Sequence, residues 1–403
     1  MIPTRFVFPS PGFQLYWSEG KGRKLLSELD TIPSKGDIES LIPLLFECDT
    51  LADTVITELY FEKGFHAATA LIDDVLKNGI ESTPDLPPCV LNFFDSLVAI
   101  PSWLDQEKVA IGSEFCRRSG VTGMIVLRNY SLMGGYESAA INKPLIYTES
   151  LKKGAAKRIA ETTEFWVNIT GENALSIQNI GFKHIVKVRL MHAYARVAIQ
   201  KSSDWKKEDW GLPINTWDMV ATNLGFSIIY LDGLRVMGIK PTKAEEEGLF
   251  HFWKYVGFLL GIPPQLIPAS RKEAIAEIYK WTITQPPADQ DTKALANSLY
   301  LEPLGATYLK YQWQRRMVVG VNLAYNSYFL GKLTSNTIGI PYSKWRFYPY
   351  IVNVLNQIPN FFAVRSEFFR KASAKRRRKK QENIKKIMLV GFHSIMESVP
   401  KHD

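Results

Sequence analysis

Apolar positions recur every three to four residues along most of this chain, which is the spacing of one buried face of a helix. The pattern begins near Asp37 and continues through 51–76, with Gly64 as a weak point. Before it, residues 1–36 contain Pro3, Pro9 and Pro11 and read as an irregular arm. Glu81–Pro88 is a turn segment. Asp105 then has the position and chemistry of an N-cap for a helix over Gln106–Arg118, closed by Gly120. The stretch 121–143 is interrupted by Gly123, Gly134 and Gly135, and periodicity alone assigns it no element.

Beyond it the period is clear. Leu151, Ala155, Ile159, Thr162, Trp166 and Ile169 fall on one stripe, with Lys153, Lys157 and Glu164 opposite. Residues 171–181 link this helix to one centred on 185–196, and the polar, tryptophan-rich 202–215 reads as a loop. A buried helix is predicted over 216–237. Thr242 with Glu245 forms a capping box for a helix ending at Gly261, before Pro263 and Pro264, and Ser270 with Glu273 offers a second box. Further helices are predicted at about 271–284, 305–330 and 343–357. No alternating run long enough for a strand and no internal repeat is found. The predicted fold class is all-α.

Charge changes this picture in one place. The chain carries a formal net charge of +9. Residues 371–386 hold nine Lys/Arg and one Glu, a net +8, so the remaining 387 residues sum to +1. A nearly neutral body needs no polyanionic partner, and no nucleic acid is expected. A basic run followed by Ile387–Val390 is either solvated charge or, over 371–390, a contact with an anionic membrane surface. Cys48, Cys89 and Cys116 have no spacing suited to zinc or an iron–sulfur cluster. No basic stretch followed by an apolar run opens the chain, and no apolar run reaches the ~20 residues of a membrane span. The expectation is a cytoplasmic protein, membrane-peripheral if the basic tail docks.

The candidate chemistry lies in 185–196. At about 100° per residue, His192 shares a face with Ile185, Val188, Ala195 and Ile199, and Arg189 and Arg196 lie at about 60° and 40° from it. A haem would satisfy an imidazole, an apolar slot and two guanidiniums together: iron takes the neutral ring nitrogen and the propionates take the arginines. A core histidine bonded to a backbone carbonyl, with arginines that merely snorkel outward, satisfies the same pattern. His184, eight residues earlier, cannot share one iron with His192 and reads as a helix-start residue. His251 has no evident partner, and His66, His393 and His402 look peripheral. Glu137 reads as solvated charge, with a role as a base the alternative.

Several segments taken in order resemble the family of latex clearing proteins (rubber oxygenases) and the MpaB oxygenase. They are Ile100-Pro101-Ser102-Trp103-Leu104-Asp105, Leu132-Met133-Gly134-Gly135-Tyr136, Pro144-Leu145-Ile146-Tyr147-Thr148, 158–166, 188–196, Gly211-Leu212-Pro213-Ile214-Asn215 and 253–261. Together they cover about residues 100–265. The resemblance implies a globin-like helical core holding haem b, with His192 as the iron ligand, and Arg158 and Thr162 on the opposite, oxygen-binding side. Latex clearing proteins carry a lysine where this chain has Glu161, which puts rubber cleavage itself in doubt. The domains expected are an N-terminal helical extension (1–99), a haem-binding oxygenase core (100–265), C-terminal helices packed on it (266–370) and a basic tail (371–403). The implied activity is O2-dependent cleavage or oxygenation of a C=C bond in a hydrophobic, isoprenoid-like substrate, with an electron donor that the sequence does not identify. Two other readings fit the same residues. One is a cofactor-free helical scaffold that docks through its basic tail, the other a haem protein that binds oxygen without turnover.

Overall fold

The computed structural model describes residues 2–147, 154–201, 204–392, 394 and 396. Every regular element among them is helical. The helices that place the site are α1 (Pro11–Ser18), α2 (Thr50–Val55), α3 (Gln106–Val126), α4 (Ala155–Ile169), α5 (Ile180–Gln200), α6 (Thr216–Leu224), α7 (Lys243–Leu259), α8 (Gln312–Thr337), α9 (Tyr348–Ala363) and α10 (Glu367–Met388). Leu151, Lys153, Thr148, Ser202, His393 and His402, which entered the sequence reading, lie outside the described residues.

Helix starts follow the capping chemistry. Asp105 Oδ1 accepts from the Glu107 and Lys108 amides at 3.0 and 3.1 Å. Thr242 and Glu245 satisfy each other's backbone amides at the head of α7, and Ser270 accepts from the Glu273 amide at 3.3 Å. These contacts use up orphan N–H groups that the first turn cannot bond internally.

Helix ends and the glycine-rich stretch differ from expectation. Gly120 does not close α3. It takes φ 63°, ψ −145° and bends the helix, which continues to Val126. A wide turn over Leu127–Leu132 and a helix over Ala139–Tyr147 follow. The predicted 216–237 helix is interrupted by a similar wide turn over Gly225–Ile229. The predicted 202–215 loop contains a short helix, Lys207–Trp210. The N-terminal arm is helical as well, because Pro11 sits in the first turn of α1, where a missing N–H costs nothing. Arg5 forms a buried bidentate pair with Asp218 at 2.7 and 2.8 Å, and Trp17 Nε1 donates to Thr282 Oγ1 at 2.8 Å.

The main apolar cluster gathers Trp17, Phe93, Phe115, Trp166, Trp217, Tyr230, Trp253, Tyr325 and many neighbours. It draws on residues from both sides of positions 99 and 265. α3 and α7 cross backbone on backbone at Gly112 and Gly248, where a Cβ on Gly112 would lie 2.2 Å from the Gly248 carbonyl oxygen.

The basic C-terminal segment is a helix, and one side of it is internal structure. Gln381 Nε2 donates to the Cys116 and Gly120 carbonyls at 3.2 and 3.1 Å. Arg377 donates to the Arg118 carbonyl at 3.0 Å. Arg378 donates to Thr170 Oγ1 at 3.1 Å and to the Val167 carbonyl, and Lys385 to Asn168 Oδ1 at 3.0 Å. Arg378 and Lys385 thus bring cations to the last turn of α4, Arg378 to the Val167 carbonyl itself, where the helix dipole favours them. Residues 371–388 are not simply a solvated tail.

Candidate active site around His192

α5 carries Arg189, His192 and Arg196 at three- and four-residue spacing, so all three point to one side of the helix. α2 lies against that side. Arg189 donates to Asp49 through Nε (2.6 Å) and Nη2 (2.9 Å). Arg196 donates to Asp53 through Nη2 (2.6 Å) and Nε (2.9 Å), and to the carbonyls of Ile214 and Asp49 at 3.2 and 3.3 Å. Both guanidiniums are thus spent on clasping α2 to α5. Gly261 completes the clasp with φ +87°. A Cβ there would lie 2.3 Å from Asp49 Oδ2 and 2.9 Å from Arg189 Nε, so glycine is needed for both backbone and space.

Within this clasp, Nδ1 of His192 is buried and has no hydrogen-bond partner. Burial, reinforced by the Arg196 charge, lowers the ring to about 4, so the imidazole is neutral. It lines a cavity of about 10 Å³ shared with Cys48, Asp49, Met219, Ile262 and the two arginines, which is space for about one water.

These observations test the expected haem. Haem iron can take its protein donor from a single neutral imidazole, and His192 supplies one. A bare ion needs several ligands, and no group of three or more His, Cys, Asp or Glu that could hold one occurs among the described residues. The surroundings do not match the donor. A ligand of drug size needs roughly 300–1,000 Å³, and the expected propionate partners, Arg189 and Arg196, already hold Asp49 and Asp53. The donor fits a haem, whereas the space and the anion-binding groups in this packing do not.

The other predicted residues lie on α4. Arg158 is half-buried, and no ion pair to it forms among the described residues. Glu161 is half-buried and pairs with Lys157 one turn away at 3.6 Å. Thr162 is exposed, although its helical angle put it on the apolar stripe. The stripe is built instead by Ile159, Ala160, Trp166 and Ile169.

Other histidines and one acid also differ from expectation. His184 is no loose helix-start residue. Its ring is buried edge-on against Phe165, its Nδ1 lies 3.0 Å from Asn168 Nδ2, and burial lowers it to about 4. An unpartnered ring nitrogen is thus shared by both histidines, and the cavity sets His192 apart. His251 does have a partner, accepting at Nε2 from the Asp105 amide at 2.8 Å. His66 is exposed.

Glu137 is buried rather than solvated. It accepts from Thr334 Oγ1 at 3.0 Å, and burial raises it to about 7. From an ordinary value of 4.5, the folded chain binds this proton more tightly than the unfolded one. Its stabilising contribution is complete below pH 4.5 and is lost as pH rises through 7. Glu137→Gln is expected to remove that decline, worth about 2–3 kcal/mol, in urea unfolding followed from pH 4.5 to 8. An unchanged pH profile would refute the assignment.

Sequence reading missed Asp49, Asp53 and Gly261. Two carboxylates one turn apart at the head of α2 were the available signal, since two inward-facing guanidiniums require anionic partners.

Comparison with known proteins gives three findings. Residues 121–353 match the family model described as ER-bound oxygenase mpaB/B′/rubber oxygenase, catalytic domain. The rubber oxygenase of Streptomyces sp. (strain K30) is 25% identical over 233 residues, 57% of this chain and 56% of that protein. The match thus spans little more than half of that relative. A solved structure of a latex clearing protein in the closed state superposes with a TM-score of 0.61 over 87% of this chain and 92% of the other. At 19% identity, that likeness is one of fold.

Proposed function

Because this chain belongs to the family of mpaB/rubber oxygenase catalytic domains, we propose that it is an oxygenase, an oxidoreductase that uses O2 on a hydrophobic, unsaturated substrate of isoprenoid type. The reaction in this reading is cleavage or oxygenation of a C=C bond. The polyisoprene chemistry implied by the name of the Streptomyces relative supports an apolar olefin as the substrate class.

The observation that carries the reading is His192, a half-buried, neutral imidazole whose buried Nδ1 has no hydrogen-bond partner and lies beside a cavity. His192 is the residue that would donate to the iron of haem b, and the haem, if bound, would supply a reducible iron for oxygen chemistry. The assignment rests on this donor alone. A cavity of 10 Å³ must widen before any macrocycle lies against the ring. Arg158, free of an ion pair among the described residues, is the cation assigned to a polar oxygen of the reacting molecule. Glu161 and Thr162 are given supporting places on the same helix rather than a proton-transfer step.

The test is an absorption spectrum of protein expressed with haem supply, oxidised and then dithionite-reduced. A Soret band is expected, and His192→Ala should remove most of it together with O2 uptake on terpenoid or unsaturated lipid substrates. Full O2 uptake by colourless protein would overturn the haem assignment but keep the oxygenase. The filled space and the spent arginines favour one second reading, a cofactor-free scaffold, which predicts neither colour nor O2 uptake.

A further inference from the structure

α9 is built inside out. Tyr350, Ile351, Val354, Leu355, Ile358, Phe361 and Phe362 are between 47% and 62% exposed, and at about 100° per residue they occupy one arc of roughly 140°. The opposite side of the helix carries amides. Asn353 donates to the Val236 carbonyl at 2.5 Å and Asn356 to the Met237 carbonyl at 2.9 Å, while Asn360 accepts from Arg118 at 2.8 Å. Helices in water normally do the reverse. The inward amides fix the rotation of α9, so its apolar face cannot turn away from the surroundings.

The face extends past the α9–α10 elbow. Phe361, Phe362, Phe369 and Phe368 form a chain of ring contacts at 5.4, 5.7 and 5.6 Å, and Phe368 is 75% exposed. Trp345 and Phe347 prolong it at the other end. Cations surround it. Residues 344–380 contain eleven Lys/Arg and one acid, Glu367, a net +10. Arg377 and Arg378 face the protein, whereas Lys344, Arg365, Lys371, Lys375, Arg376, Lys379 and Lys380 are exposed. On α10, Phe368 shares its helical face with Lys375, Arg376 and Lys379, and Arg365 stacks over Phe361 at 3.6 Å.

We propose that α9 and the exposed face of α10 as far as Lys380 form a docking surface for an anionic phospholipid bilayer, with the aromatic and aliphatic face seated at the headgroup–acyl boundary and the basic rim against the headgroups. An exposed apolar patch of this size marks an interaction surface, and the charge selects the partner. A second copy of this chain would bring two cationic rims together, each with seven exposed Lys/Arg against one exposed acid, Glu367, and an uncharged hydrocarbon surface would leave the rim unpaired. Aromatic side chains and Lys/Arg ringing an apolar helix face are what an interfacial helix presents to lipid. No helix among the described residues is long and apolar enough to cross a membrane, so the contact is one-sided. This surface differs from a purely electrostatic contact along 371–390, because part of that helix is turned into the protein. The inference is independent of the reaction assigned to His192.

The experiment is co-sedimentation of the full chain with phosphatidylcholine vesicles, with and without phosphatidylserine, over a range of salt. Binding is expected to the phosphatidylserine vesicles and to weaken as salt rises. Lys375→Ala and Arg376→Ala should each lower affinity about fivefold. Leu355→Glu with Ile358→Glu should abolish binding while the thermal melt stays unchanged, since both side chains are exposed. Failure of the unmodified protein to bind either vesicle would overturn the proposal. It would also be overturned if the Leu355/Ile358 variant broke up a dimer in sedimentation velocity without changing vesicle binding.

Discussion

Replacing Glu245 by alanine is expected to lower the unfolding free energy by about 3–5 kcal/mol, read as a fall in the urea midpoint at unchanged slope. Arg118 is 1% exposed and Glu245 2%. The guanidinium donates to both carboxylate oxygens at 2.7 and 3.0 Å, to Asn360 at 2.8 Å and to the Lys240 carbonyl at 3.0 Å. Truncating the acid leaves a buried charge without its counter-charge, and it also removes the reciprocal half of the α7 capping box. Removing both charges with Arg118→Met and Glu245→Leu should recover much of the loss, because the desolvation cost then disappears as well. A double variant no more stable than the single one would show that the loss came from packing. The exposed pair Lys243–Glu247, at 3.9 Å, is expected to contribute nothing measurable when broken.

Gly112→Ala is the second large effect. One methyl group would meet the Gly248 carbonyl oxygen at 2.2 Å and carbon at 2.6 Å. Overpacking usually costs about 1–3 kcal/mol when side chains can yield. Here the obstacle is backbone, so the two helices must part along their length. The expected outcome is a loss above that range, seen as little soluble protein or a strongly lowered melting temperature. Gly135→Ala is the control. Nothing lies within 4 Å of its added Cβ, and the change should be neutral or slightly stabilising. Equal effects of the two substitutions would refute the close-approach account.

Much of this architecture is written in local chemistry. The all-helical class and the caps at Asp105, Thr242 and Ser270 follow from short-range spacing. Partners supplied from far along the chain do not. Asp49 and Arg189 are 140 residues apart, and nothing local tells whether a flanking arginine meets a propionate or an aspartate. Thr162 shows the limit of helical angles, for a stripe is buried only where another element covers it. The glycines misled in a different way. Gly120 looked like a terminus but serves as a bend, since φ > 0 can be absorbed inside a helix where a neighbour supplies the lost bonds, as Gln381 does. Prolines near the N-terminus suggest an irregular arm, although Pro11 begins α1. The basic run 375–380 was read as one thing when its two faces do different work.

The lacing of α10 onto α3 bears on how the chain is made. The contact from Arg377 to the Arg118 carbonyl joins residues 259 positions apart. On the ribosome, α3 emerges long before the helix that covers its bent turn at Gly120. Until α10 is synthesised, the Cys116 and Gly120 carbonyls and the adjoining apolar surface wait uncovered, the condition in which nascent chains aggregate or recruit chaperones. Final closure of this molecule therefore waits for α10, and a ribosome-arrested chain ending before residue 367 should remain protease-sensitive at α3.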